Sequence, residues 1–75
     1  PESLAREGFI HLSAPAQVAG TLRRFFAGQR DLVALVVDPD RLEPGVLRWE
    51  PADGQDFPHL YRALTPEDVV EVRSV

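Results

Sequence analysis

Three pairs of polar residues stand two apart in this sequence: His11 with Ser13, Arg48 with Glu50, and His59 with Tyr61. Side chains two apart in a strand share a face, so each pair would be presented together. Brought onto one surface, the set offers imidazoles that can take up and release a proton, a carboxylate for a developing positive charge, and a guanidinium for an anion. His11, Glu50 and His59 are the candidate catalytic residues. Ser13, Arg48 and Tyr61 are the candidate ligand-binding residues. The ligand these groups suit is a nucleotide or another small phosphorylated anion.

Each member also has a plainer role. A strand histidine is often a hydrogen-bonded structural residue, Arg48 and Glu50 would serve as a solvated ion pair, and Ser13 stands where it would cap a helix. The alternative is a non-catalytic ligand-binding or protein-interaction domain in which these side chains satisfy one another. No nucleophile elbow or hydrolase triad spacing is present. His11, His59 and Glu50 would form a metal-ligand set only from three distant segments without paired spacing, so the site is read as metal-free. The glycines are isolated at turns, which leaves no glycine-rich phosphate loop.

These residues need strands to position them. The run from Phe9 to Ser13 alternates, with Phe9, His11 and Ser13 on one side and Ile10 and Leu12 on the other. Ser3 is read as the cap of a preceding short turn that Gly8 ends. Ser13 is read as an N-cap, Pro15 lies in the first turn, and Val18, Leu22, Phe25 and Phe26 mark the buried stripe of a helix that stops at Gly28. Leu32–Val37 is continuous and β-branched, the pattern of a central strand covered on both faces. Val46–Glu50 is the next strand, followed by a polar loop over 51–56. Phe57–Arg62 reads as an edge strand, because Pro58 cannot donate to a ladder. Thr65, Pro66 and two acids resemble a helix start, and Val69–Val75 reads as the closing strand. Trp49, Phe57, Phe25 and Phe26 are assigned to the core. The expected architecture is α+β, a small mixed and split sheet with one main helix.

Composition bounds the function. The 75 residues form one domain, 1–75, and 44% apolar with 27% charged residues is a globular profile. The absence of cysteine excludes disulfides, Cys-ligated zinc and a thiol nucleophile. The longest apolar run falls far short of the roughly 20 residues that span a bilayer, so no membrane role and a cytoplasmic location are expected. A net charge of −4, with its arginines dispersed, argues against nucleic-acid binding. Oligomeric state is left open. The chain opens on Pro1, and a first strand is expected to precede it in the complete domain.

Taken together, Ser3-Leu4, Glu7-Gly8-Phe9-Ile10-His11-Leu12-Ser13, Gln17, Asp31-Leu32-Val33, Leu47-Arg48-Trp49-Glu50 and Phe57-Pro58-His59-Leu60-Tyr61 resemble the bacterial family called domain of unknown function 952. The match covers nearly the whole chain. The resemblance implies the ADP-ribosylation fold, a split sheet that in transferases and RNA 2′-phosphotransferases holds NAD as substrate in a cleft. By analogy of fold, Glu50 would polarise the nicotinamide ribose, Tyr61 would stack on nicotinamide, and His11 would hold ribose or phosphate. The paired-glutamate motif of arginine-modifying transferases is absent.

Overall fold

The computed structural model describes the backbone of residues 2–75 and the side chains from Leu4 onward. Ser3, read as a helix cap, lies outside the residues whose side chains are described. At its centre is a hairpin, β3 (Leu47–Ala52) and β4 (Gln55–Leu60), joined by Asp53 and Gly54. Both turn residues have positive φ, +52° and +83°. A two-residue hairpin turn of this kind matches the natural twist of the flanking strands, and the Asp-Gly pair accommodates it. Residues 51–56, read as a loop, are therefore mostly strand: β3 runs to Ala52 and β4 starts at Gln55.

β1 (Ile10–His11) lies antiparallel to β4, with His11 opposite His59 and Ile10 opposite Leu60, giving a sheet of order β1-β4-β3. β4 is therefore central, not an edge. Pro58 is accommodated because the even-numbered positions of β4 direct their backbone groups toward β1. The Leu12 amide donates to Pro58 O at 2.9 Å, and the return bond that an antiparallel pair would add needs the proton Pro58 lacks. The ladder stops there, and β1 is two residues long.

β2 (Val33–Val37) and β5 (Val69–Ser74) form a separate antiparallel pair. The α+β class and the split are as expected. Every pairing among the described residues is antiparallel, however, where a mixed sheet was expected. A tight turn imposes this on β3–β4, since parallel neighbours need a long crossover. β2 is not the covered centre of a sheet either. It has one neighbour among the described residues, and Val33 and Leu35 are 60% and 50% exposed.

A short α1 (Glu2–Glu7) precedes β1, and the main helix, α2 (Val18–Phe25), follows a 3-10 turn over Pro15–Gln17. Gln17, not Ser13, closes this start: its Oε1 accepts from the Ala14 amide at 2.8 Å. Gln17 Nε2 also donates to Asp56 O at 2.6 Å, which ties the helix start to the hairpin. Arg24 of α2 pairs with Asp53 of the hairpin turn at 3.2 Å.

Leu60 alone is fully buried among the described apolar residues. Trp49 is 54% exposed, and Phe25 and Phe26 are also exposed, so the core expected from them is not closed. The even face of β4 and the inner side of β2 instead border an apolar groove of about 530 Å³ between the sheets, lined in part by Trp49, Leu35 and Pro58. With two small sheets and one eight-residue helix, the described elements offer no further layer to cover these side chains.

Past β4, Arg62 joins three segments. Its guanidinium donates to both oxygens of Asp68, at 2.7 and 2.9 Å, and to both of Glu43, at 2.8 and 3.0 Å. Asp68 also accepts from the Thr65 amide and hydroxyl, so the expected cap residue is partnered, although the helix is a single 3-10 turn over Pro66–Asp68. The Arg62 contact, followed by the Thr65 bonds, holds the Asp68 carboxyl well below the usual carboxylate range.

Candidate functional site

Register alone assembles the polar face. His11, His59 and Arg48 lie side by side on β1, β4 and β3, because His11 pairs with His59 and His59 with Arg48. Glu50 is two residues on from Arg48, and Tyr61 two on from His59, so both fall on the same face. Of the sequence candidates, His11, Arg48, Glu50, His59 and Tyr61 share one surface, and Ser13 stands at its margin.

Glu50 is the hub. His59 donates from Nδ1 to Glu50 Oε1 at 2.8 Å, and the Tyr61 hydroxyl donates to the same oxygen at 2.5 Å. The carboxylate can only accept, so the proton of neutral His59 sits on Nδ1 and the lone pair on Nε2. The bonds from Tyr61 and then His59 hold the Glu50 carboxyl below its ordinary value against the opposing effect of burial. The bond to Glu50 pushes the Tyr61 hydroxyl above its own.

His59 is 4% exposed, and its Nε2 is sealed from solvent with no hydrogen-bond partner among the described residues. Leaving such an atom unpaired costs about 1–3 kcal/mol. Phe9 stacks on the ring, with centroids 4.4 Å apart and planes 24° from parallel, and His11 meets it edge-on at 5.0 Å. Phe9 is a site residue that sequence reasoning left out, although its alternation with His11 placed it on this face.

Arg48 and Glu50 do not form the solvated ion pair of the plainer reading. The Arg48 guanidinium lies over the Tyr61 ring at 4.4 Å and donates from Nε to Gly45 O at 3.3 Å. With Arg48 on its ring and Phe9 at 5.1 Å, Tyr61 fits the anchor of Glu50 better than a stacking platform for nicotinamide. His11 Nε2 is 3.2 Å from the Glu7 carboxylate. Ser13 Oγ is bonded to Thr21 Oγ1 at 2.9 Å. Among the described residues no group of three or more His, Cys, Asp or Glu side chains is arranged to hold a metal ion.

The model of the family described as "Protein of unknown function (DUF952)" matches residues 1–72. The chain belongs to this family. Its fold is close to the crystal structure of protein CC0527 from Caulobacter crescentus, with a TM-score of 0.86 and 39% identity over 99% of this chain and 65% of that one. A double methionine mutant of CC0527 gives a TM-score of 0.84 and 40% identity over 97% and 63%. The DUF952 chain described here thus spans about 65% of the length of that relative. No curated protein matches it. No helix is long and apolar enough to cross a membrane among the described residues.

Proposed function

We propose that the polar face of this DUF952 domain binds a nucleotide or a similar small phosphorylated anion, and that it carries out ADP-ribosyl or phosphoryl-group transfer on it. The observation that carries this reading is His59 Nε2, a buried acceptor oriented by a carboxylate on the opposite ring nitrogen and left without a partner among the described residues. A self-contained structural network would satisfy such an atom. An orienting carboxylate behind an imidazole is also the arrangement by which proteins fix a general base.

Arg48 supplies the anion site, because it is not tied to Glu50 and keeps its terminal donors for phosphate oxygens. Glu50 engages Oε1 twice and leaves Oε2 without a partner among the described residues. In ADP-ribosyl transfer from NAD, the bond from ribose C1′ to nicotinamide breaks and its electron pair leaves on nicotinamide. A bond from an acceptor oxygen or nitrogen to C1′ forms, and the acceptor's proton passes to His59 Nε2 once the bound ligand takes the place of the Phe9 ring that covers it. Glu50 then stabilises positive charge on the ribose, and His11, at the margin, is the solvent-facing partner of His59. The ADP-ribosylation-like fold implied by the family resemblance is part of this proposal.

One observation favours the alternative, a non-catalytic ligand-binding or interaction domain: Tyr61 and His59 already occupy Glu50 Oε1. Calorimetry and thermal shift with NAD, ADP-ribose and inorganic phosphate separate the two. The proposal expects ADP-ribose to stabilise the native protein, Arg48→Gln to abolish that effect, and Glu50→Gln to abolish nicotinamide release while the protein stays folded. If none of the three ligands stabilises the native protein, the alternative stands.

A further inference from the structure

We propose that the cavity between α2 and the β3–β4 hairpin receives the planar base of a mononucleotide whose phosphate lies at Arg48. The inference rests on the phosphate-binding reading above and adds the class of ligand. The cavity measures about 360 Å³, within the roughly 300–1,000 Å³ range of small-molecule sites. Phe25, Phe26 and Phe57 give it aromatic walls, and His11 and Ser13 stand on its border, so it adjoins the polar face.

A purely aliphatic occupant would leave polar groups here unanswered. Ser13 and Thr21 bond to each other, which uses one hydroxyl proton and leaves the second, with spare lone pairs, uncommitted. Asp53, also on the lining, has a carboxylate that can accept from an exocyclic amino group beside its pairing with Arg24. Flat rings edged with donors and acceptors match phenylalanine faces and these groups together. Spacing points the same way. The cavity reaches the polar face at His11 on β1 and Phe57 on β4, and Arg48 lies on β3 beside β4, so roughly 5–10 Å, one to two strand spacings, separates the cavity's near edge from Arg48 across the sheet. A ligand reaching from one to the other passes His11 and the Phe9 ring that lies on His59.

Calorimetric titration of the native protein with inorganic phosphate, ribose 5-phosphate, AMP and nicotinamide mononucleotide tests this directly. The expected result is that a base attached to ribose 5-phosphate tightens binding about 10- to 100-fold, the usual worth of one stacked base. Nuclear Overhauser contacts from base protons to the Phe25 and Phe57 rings should accompany it. Thr21→Leu, which removes a hydroxyl from the cavity and adds bulk, should cut the gain at least several-fold while leaving ribose 5-phosphate affinity unchanged. Equal affinity for ribose 5-phosphate and both mononucleotides overturns the base site and leaves the phosphate reading intact. Binding of none of the four compounds overturns both. Base contacts to residues outside the cavity overturn the placement.

Discussion

His59 and Glu50 form a dyad in which the ring nitrogen facing the carboxylate is bonded at 2.8 Å and the opposite one is buried and bare. The imidazole is thus fixed in tautomer and direction by a group on the neighbouring strand. The stack of Phe9 then controls what reaches the free nitrogen.

Diethyl pyrocarbonate, which acylates accessible imidazoles, should distinguish the two histidines. His11 is half exposed and His59 is almost wholly buried. One modification per chain is expected in the native protein and two in Phe9→Ala, counted by mass spectrometry with peptide mapping. Rapid double modification of the native protein would refute the sealed environment of His59.

The sole tyrosine gives a clean spectroscopic test of the hub. Its hydroxyl is held above the ordinary value of about 10 by the bond to Glu50, so the native protein should form tyrosinate only above that pH. Glu50→Gln should move the ultraviolet titration back toward the ordinary value. The sign follows from linkage: a raised folded pKa contributes stability that is fully present below about pH 10 and disappears as pH rises through the folded value.

Asp68 acts at the opposite end of the pH scale. Its carboxyl is depressed by Arg62 and Thr65, and Glu43 is lowered chiefly by Arg62. Groups with depressed folded pKa contribute stability above the unfolded value, about 4, and lose it as pH falls through the folded value. Tm should therefore be flat from about pH 7 to pH 5 and fall progressively below about pH 4. Asp68→Asn should lower Tm at pH 7 and flatten the acid limb. An unchanged acid limb in that variant would show that the Arg62 cluster does not govern it.

Leu60→Ala removes the one fully buried apolar side chain among the described residues, from a position contacted by both β1 and β3. A loss of about 2–5 kcal/mol in urea unfolding is expected, the usual range for a buried leucine.

Gly54 stands at φ +83° with open space where a Cβ would project. Gly54→Ala should therefore be penalised by backbone conformation alone, by about 1 kcal/mol. Gly54→Asn should recover part of that, because asparagine tolerates the left-handed region.

Period-two alternation made the polar face legible, since it depends only on strand character and on which strands are neighbours. His11, Arg48, Glu50, His59 and Tyr61 came together for that reason. Side-chain direction within the face was not legible. Arg48 lies over the Tyr61 ring and bonds Gly45 O, while Tyr61 and His59 are the groups that bond Glu50. The exposed faces of Trp49 and Leu35 were misjudged for another reason: an apolar residue in a strand signals a face that prefers cover, not the presence of a layer to provide it. Pro58 misled because a missing donor harms a ladder only on the side to which it would have pointed.

Pro58 thereby acts as a length gauge. Without its proton the Leu12–Pro58 pair keeps a single bond, the next carbonyl on that side, Asp56 O, accepts from Gln17 Nε2 instead, and the chain turns into the 3-10 turn at Pro15–Gln17 and the helix beyond. Ser13 leaves the pleat and meets Thr21, at the border of the cavity beside α2. An imino acid on the central strand and a glutamine on the helix start together mark where pairing gives way to a wall, with the histidine row on one side and the aromatic hollow on the other.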